Sequence, residues 1–351
     1  MRLRRRRQDE SGGNLESHLE TPRISSESEG NGLSELPADG STPAAETART
    51  APVIGEVQGG LDVRLDAHNA FRLPSMAADG GLLTSQVWVA AASLTGLGHS
   101  YHGTTGQDSY AFAAGRESGM VAIAVSDGLG SKTHTAQIGA VLVSRIVCDL
   151  LTGARIPSDA SELPAFASEC LHKANRQLRE YRSHYMVKFA DEDLSSTLAF
   201  CLLPETGSVL SGEALIGRVG DCAAFTLSED EWANVFPRET GPLNVLTRCL
   251  PTNDVDNALE TARIHMAGLR AIVLTTDGLA EDIYNSPALR GWLRDCWSEP
   301  CDGFKMVEAL RYRRRGSHDD RTAAVVWPSH PEVGISGDEL EKNRGVDPPT
   351  R

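Results

Sequence analysis

Three short apolar runs of this sequence carry acidic residues at one end. Runs of this kind, rich in β-branched residues, predict buried strands, and a glycine beside the carboxylate lets the backbone turn sharply. Carboxylates that converge from three strand ends would suit magnesium or manganese, because hard divalent cations take oxygen ligands. The sequence therefore predicts an oxygen-ligated metal site built from three pairs of residues, Asp127-Gly128, Asp277-Gly278 and Asp319-Asp320.

The composition restricts the class of protein. The chain has 351 residues, of which 40% are hydrophobic, enough for one folded domain with flanking segments. A formal net charge of −14 argues against a general nucleic-acid binder, because phosphate backbones attract basic surfaces. The seven cysteines are odd in number and lack CxxC spacing, which favours free thiols in a reducing compartment over disulfides or a zinc site.

Composition also predicts the domain limits. Residues 1–84 are polar and weakly periodic and are expected to be a disordered leader, residues 85–328 the folded domain, and residues 329–351 a flexible tail. The Arg-rich start lacks the apolar segment of a signal peptide, and no run approaches the roughly 18 apolar residues of a membrane helix. We therefore expect a cytoplasmic protein without a membrane span.

Periodicity predicts many short strands and two long central helices. Residues 213–227 resemble a hairpin that turns at Gly220-Asp221, and residues 228–262 resemble an irregular surface insertion. With no G-x-G-x-x-G fingerprint, this pattern favours an α+β or layered α/β/α domain over a dinucleotide fold. The predicted strands are residues 86–94, 121–126, 196–203, 271–276 and 322–327. The predicted helices are residues 135–151, 161–185, 287–296 and 303–312.

Several separate motifs resemble those of the metal-dependent protein serine/threonine phosphatases of type 2C, in particular a bacterial form. Each motif alone is weak, since Asp-Gly also marks ordinary turns. Their order and spacing over about 88–327 carry the resemblance. The motifs are Gly98-His-Ser with Gly106-Gln-Asp108, Val125-Ser-Asp-Gly-Leu-Gly130, Ser196-Thr-Leu198, Val219-Gly-Asp221, Thr276-Asp-Gly-Leu279 and Asp319-Asp-Arg-Thr322.

The resemblance implies an α+β fold of four α/β/β/α layers, with a central antiparallel β-sandwich and a binuclear manganese or magnesium centre. Asp127 would bridge both cations, and Gly128 would add its carbonyl. Asp277 and Asp320 would complete the coordination of one metal, and Asp108 would orient a water ligand of the site. A hydroxide shared by the cations would attack phosphorus. The implied reaction is hydrolysis of phosphoserine or phosphothreonine in a phosphoprotein, opposing a Ser/Thr kinase.

Four further aspartates have more than one interpretation. Asp193, and after it Asp191, is a candidate for a third metal, and the alternative interpretation is a solvated acidic loop. Asp221 is expected to satisfy turn amides. Asp319 is expected to hydrogen-bond beside Asp320 rather than to bind metal.

Three departures from the family pattern leave the activity open. Residues 101–106, a few positions before Asp108, contain no Arg to bind the substrate phosphate, Gln107 replaces an acidic residue, and Leu129 replaces a histidine of the eukaryotic pattern. His99 or His102 could donate to phosphate or instead bond a turn carbonyl. The alternatives are a pseudophosphatase that binds phosphorylated partners without turnover and a hydrolase of small phosphoesters.

Overall fold

The computed structural model describes seven segments of the chain, and two antiparallel sheets form its centre. The first sheet has, in spatial order, β1 (Met76–Leu82), β2 (Trp88–Leu94), β11 (Arg321–Trp327), β10 (Ala271–Thr275), β7 (Ala223–Leu227) and β8 (Trp232–Asn234). The second has β3 (Asp108–Gly115), β4 (Met120–Asp127), β5 (Leu198–Pro204), β6 (Glu213–Val219) and β9 (Leu259–His265). The described residues are 52–56, 73–129, 135–157, 159–204, 212–229, 231–238 and 248–328.

Helices cover the outer face of each sheet. Two long helices pack on the five-stranded sheet, and three shorter ones pack on the six-stranded sheet. The helices are α1 (Leu97–His102), α2 (Ala136–Gly153), α3 (Leu163–Tyr185), α4 (Val255–Ala258), α5 (Asp277–Asn285), α6 (Pro287–Cys296) and α7 (Gly303–Leu310). Single 3₁₀ turns occur at Ala160–Glu162 and Asp191–Leu194.

Alternate residues of β4 enter two different cores, as the two-residue period of a strand requires. The residues that pack between the two sheets are Val121, Ile123 and Val125. The residues that pack against α2 and α3 are Met120, Ala122 and Ala124. A strand buried on both faces reads as a continuous apolar run, which is the pattern the sequence shows. The four-layer α+β fold with a central antiparallel sandwich is therefore confirmed.

The hairpin predicted for residues 213–227 is wrong. β6 pairs with β5 and β9, whereas β7 pairs with β10 and β8 in the other sheet. The chain crosses between the sheets at Gly220, which has a φ of 87°. Glycine adopts a positive φ at little energetic cost because it has no Cβ. Two apolar strands joined by a tight turn do not reveal, from their local pattern, that they belong to different sheets.

The leader predicted for residues 1–84 contains a strand, so the prediction of disorder is wrong for β1. This strand pairs with β2 along its full length. A Cβ on Gly80 would lie 2.6 Å from the backbone nitrogen of Gly303 at the start of α7, so glycine is required there. At Gly80, the small residue that resembled a sign of disorder is thus a packing requirement. The rest of the leader, except 52–56, 73–75 and 83–84, lies outside the described residues, as does the tail at 329–351.

Two further expectations change. The insertion predicted as irregular at residues 228–262 contains β8, α4 and the start of β9, while residues 239–247 lie outside the described part.

Among the described residues, α2 is long and apolar enough by length and composition to cross a membrane, although no such run was expected. More than half of it is buried, against β3, β4 and α3. The apolar residues of α2 therefore pack in the core of the domain.

We expect deletion of residues 1–84 to destabilise the fold. The deletion removes β1 and exposes the edge of β2, and it also removes Ile54, whose N–H donates to the carbonyl of Arg313 at 3.0 Å. The melting temperature should fall by at least about 5 °C, measured by circular dichroism. A matched deletion of residues 1–50 keeps both contacts and should change it little. Equal melting temperatures for the two deletions would contradict the structural role of β1.

Candidate metal centre

Asp108 and Asp127 face each other at one end of the five-stranded sheet. The antiparallel register of β3 and β4 makes them direct cross-strand partners, and their side chains are hydrogen-bonded. Asp108 is buried, and its Oδ2 also accepts the hydroxyl of Thr276 at 2.6 Å. Two carboxyl groups predicted from separate motifs are therefore in contact.

Asp277 enters the same region from the other sheet. It follows β10 and begins α5, so a helix follows the predicted strand end. A Cβ on Gly278 would lie 2.2 Å from the carbonyl oxygen of Asp320 and 2.9 Å from Cβ of Asp319. Glycine thus allows the start of α5 to approach the end of the loop that precedes β11.

Burial and mutual repulsion raise the pKa of three carboxyl groups in this cluster. Burial, followed by the charge of Asp320, raises the pKa of Asp108 well above its usual range. The pKa of Asp127 is raised well above its usual range by burial and by the charges of Asp277 and Asp108. Burial and the charge of Asp319 raise the pKa of Asp277 to about 7. An all-oxygen cluster whose charges repel one another fits divalent magnesium or manganese.

Asp320 is an anchor for backbone amides. It is 3% exposed, and its Oδ1 accepts the N–H of Gly96 at 2.6 Å while its Oδ2 accepts the N–H of Gln107 at 2.6 Å. His99 Nδ1 lies 2.9 Å from the same Oδ1. Asp319 is exposed, and its Oδ1 accepts the N–H of Asp320 at 2.9 Å, the kind of hydrogen bond expected for it.

Gly128 and the Ser-Thr motif fix the end of β4. A Cβ on Gly128 would lie 2.2 Å from the carbonyl oxygen of Ala136, so glycine allows α2 to start close to the site. The carbonyl of Asp127 accepts the N–H of Thr197 at 2.8 Å and the hydroxyl of Ser196 at 2.8 Å. These contacts hold the backbone that directly follows the Asp127 side chain.

The two acidic residues considered for a third metal have other contacts. Asp193 Oδ2 accepts the N–H of Ala190 at 2.7 Å and closes a 3₁₀ turn. Asp191 Oδ1 accepts a hydrogen bond from Nε of Arg182, on α3, at 2.8 Å. A third metal at Asp193 therefore stays a prediction, and it would have to compete with the turn amide.

An open cleft of about 610 Å³ lies beside the carboxylates. Its lining includes Asp277, Asp319, His99 and Arg314. Ligand atoms of His99, Asp319 and Asp320 lie within 4.8 Å of one another. The hydrogen bond to Asp320 raises the pKa of His99, and this bond replaces the turn carbonyl that was one expected partner.

Sequence reasoning missed two residues of this region. Thr276 bonds Asp108, and its hydroxyl also accepts the N–H of Thr322 at 3.2 Å, which links the two sheets at the site. A threonine at the end of an apolar strand, directly before Asp277, was a signal that could have identified it. Arg314 lines the cleft from a loop, where no local pattern marked it.

We expect the metal-free protein to become more stable as the pH falls from about 8 to about 6. Because the folded pKa of Asp277 is about 7 and its ordinary value is 3.8, the folded state binds more protons between these values. Stability therefore decreases as the pH rises through this window. Melting temperatures with chelator test this, and Asp277→Asn should remove part of the slope. A slope that is unchanged in this variant would contradict the assignment.

Comparisons with known proteins agree with the fold. The family model described as Protein phosphatase 2C matches residues 95–311. A bacterial serine phosphatase structure is 15% identical and has a TM-score of 0.51, covering 70% of this chain and 99% of that one. The serine/threonine phosphatase PstP/Ppp of Mycobacterium tuberculosis is 18% identical with a TM-score of 0.49, covering 70% and 100%. No curated protein matches the sequence.

The family match covers more than half of the chain and includes the strands and helices that position Asp108, Asp127 and Asp277. The bacterial serine phosphatase structure shows that the same fold occurs in a solved protein of low identity. The chain therefore belongs to the protein phosphatase 2C family of protein serine/threonine phosphatases.

Proposed function

We propose that this protein hydrolyses phosphoserine and phosphothreonine in proteins with two divalent cations, magnesium or manganese. The observation that carries the proposal is the cluster of carboxyl groups with raised pKa values at adjacent ends of the two sheets. Like charges held together in this way are costly without a counter-charge. Retention of the whole cluster favours an active enzyme.

Asp127, Asp277 and Asp319 would hold the cations, together with the carbonyl of Gly128. This revises the sequence expectation, which placed Asp320 in this role. Both Asp320 oxygens already accept hydrogen bonds from backbone amides, whereas Asp319 is exposed in the cleft beside Asp277. Asp320 would instead position the two loops on which its amide partners lie.

The remaining steps depend on protein groups. When bound, the cations would supply an acidified water as nucleophile and neutralise charge on the phosphoryl group. Asp108 orients Asp127 through their hydrogen bond and is itself held by the Thr276 hydroxyl. This chain of contacts keeps the carboxylates in a fixed arrangement before substrate binds, so little reorganisation is needed during the reaction.

The shape of the cleft favours a phosphoryl group carried on a protein. The cleft is open to solvent and is lined mainly by polar residues. A protein-borne phosphoserine can enter such a cleft without being enclosed. We propose that the enzyme reverses the action of a Ser/Thr kinase in signalling. The seven cysteines are free thiols, which supports the cytoplasm as the compartment.

A pseudophosphatase is the second candidate. Gln107 stands where many relatives carry an acidic residue, and the arginine that many relatives have a few residues before Asp108 is missing, which favours binding without turnover. Both candidates predict cation binding, so binding alone does not distinguish them.

The distinguishing experiment is hydrolysis of a phosphothreonine peptide and of para-nitrophenyl phosphate by the full chain with manganese, magnesium or chelator. We expect cation-dependent turnover of both substrates. Cation binding without turnover would establish the pseudophosphatase. Turnover of the small ester at a normal rate with no peptide hydrolysis would instead indicate a small-molecule phosphatase.

A further inference from the structure

One arginine lines the cleft beside the candidate metal centre. Of the described residues that line this cleft, Arg314 alone carries an Arg or Lys side chain, and its neighbours there include Asp277, Asp319 and Glu281. A phosphate monoester brings up to two negative charges into a cleft already lined by carboxylates. A permanently charged guanidinium offsets this charge, and its planar donors match the oxygens of phosphate.

Arg314 is held in place by a buried carboxylate. Its Nη1 donates to Oδ1 of Asp282 at 2.6 Å, and Asp282 is 3% exposed. The other carboxylate oxygen accepts the hydroxyls of Tyr312 and Ser317. Within the described residues, no other Arg314 nitrogen has a hydrogen-bond partner. A guanidinium has five N–H donors, so this anchor leaves donors for two oxygens of a ligand.

The loop on both sides of Arg314 is fixed by residues 52–56. The N–H of Arg313 donates to the carbonyl of Pro52 at 2.8 Å, and Nη1 of Arg315 donates to Oε2 of Glu56 at 2.6 Å. Arg313 is exposed and is not part of the cleft lining, while Arg315 is paired. Of this run of three arginines, Arg314 is therefore the one that faces the site.

We propose that Arg314 binds the phosphoryl oxygens of the substrate and that Asp282 positions it for this contact. The inference deepens the proposed function and rests on it. Because the Arg314 side chain is 23% exposed and already anchored, little side-chain entropy is lost when phosphate binds. Product phosphate should occupy the same donors after hydrolysis.

The test measures binding of inorganic phosphate to the full chain in the presence of manganese by titration calorimetry. For Arg314→Gln we expect phosphate to bind about 10–100-fold more weakly, because a charge-assisted bidentate contact is lost. Arg313→Gln, in the same loop but outside the cleft, is the matched control and should bind phosphate as the parent does. With a phosphothreonine peptide, KM should rise more than kcat falls.

Arg314→Lys serves as the second variant, since it keeps the charge if the glutamine variant does not fold. It should recover part of the affinity, because lysine lacks the planar fork. Unchanged phosphate affinity in Arg314→Gln, accompanied only by a lower melting temperature, would show a purely structural role and overturn the inference. So would a parent chain that binds no phosphate. Phosphate binding that depends on Arg314 in a chain without turnover would support the inference and contradict only the proposed function.

Discussion

Replacing Asp127 with Asn should lower both the turnover rate and the affinity for manganese, each by at least about a hundredfold. Asp127 pairs with Asp108 on the neighbouring strand and is repelled by Asp277 at the start of α5, so its carboxylate is central to the cluster. A neutral amide cannot balance the charge of two dications. Initial rates on para-nitrophenyl phosphate and a manganese titration measure the two effects.

The same substitution should leave the metal-free protein folded, and more stable at about pH 8, because it removes one of several repelling charges. Asp256→Asn is the matched control, since Asp256 is 71% exposed and bonds only Ser168 and His172 among the described residues. The control should retain normal activity. Normal activity in the Asp127 variant would contradict its assignment to the metal centre.

Asp319→Asn should mainly weaken manganese binding, whereas Asp320→Asn should mainly lower the stability of the fold. The Asp319 variant should bind manganese at least about tenfold more weakly with a nearly unchanged melting temperature, because the exposed side chain would lose a charged ligand oxygen. The Asp320 variant should lose about 2 kcal/mol of unfolding free energy, since an amide NH₂ would face a buried N–H donor. Thermal unfolding with chelator and manganese titration separate these outcomes.

The contrary pattern would restore the sequence expectation. If Asp320→Asn lowered manganese affinity more than Asp319→Asn and left the metal-free melting temperature unchanged, Asp320 would be the ligand. In that case the hydrogen bonds from Gly96 and Gln107 would have to be lost when the cation binds.

The sequence predicted the strands that carry Asp127 and Asp277 because those strands are buried on both faces. Continuous apolar runs of this kind are recognisable without knowing their partners. Asp108 was found through its motif, and the register of β3 and β4 then explains why it meets Asp127. The four-layer fold also followed from the resemblance.

Other features depended on contacts between distant residues. Whether Asp319 or Asp320 faces the cleft depends on a one-residue register, because adjacent side chains point in opposite directions along an extended chain. The position of Arg314 depends on Asp282, which precedes it by 32 residues. β1 was missed because Gly80 packs against α7, so its composition reflects close approach instead of disorder.

The most direct test of the account is a calorimetric titration of manganese into the metal-free full chain, followed by phosphothreonine-peptide turnover at each concentration. We predict two bound cations per chain, turnover that rises over the same concentration range, and loss of both in Asp127→Asn. Peptide turnover that persists in excess chelator, or a chain that binds no manganese, would contradict the assignment of these carboxylates to a catalytic metal centre.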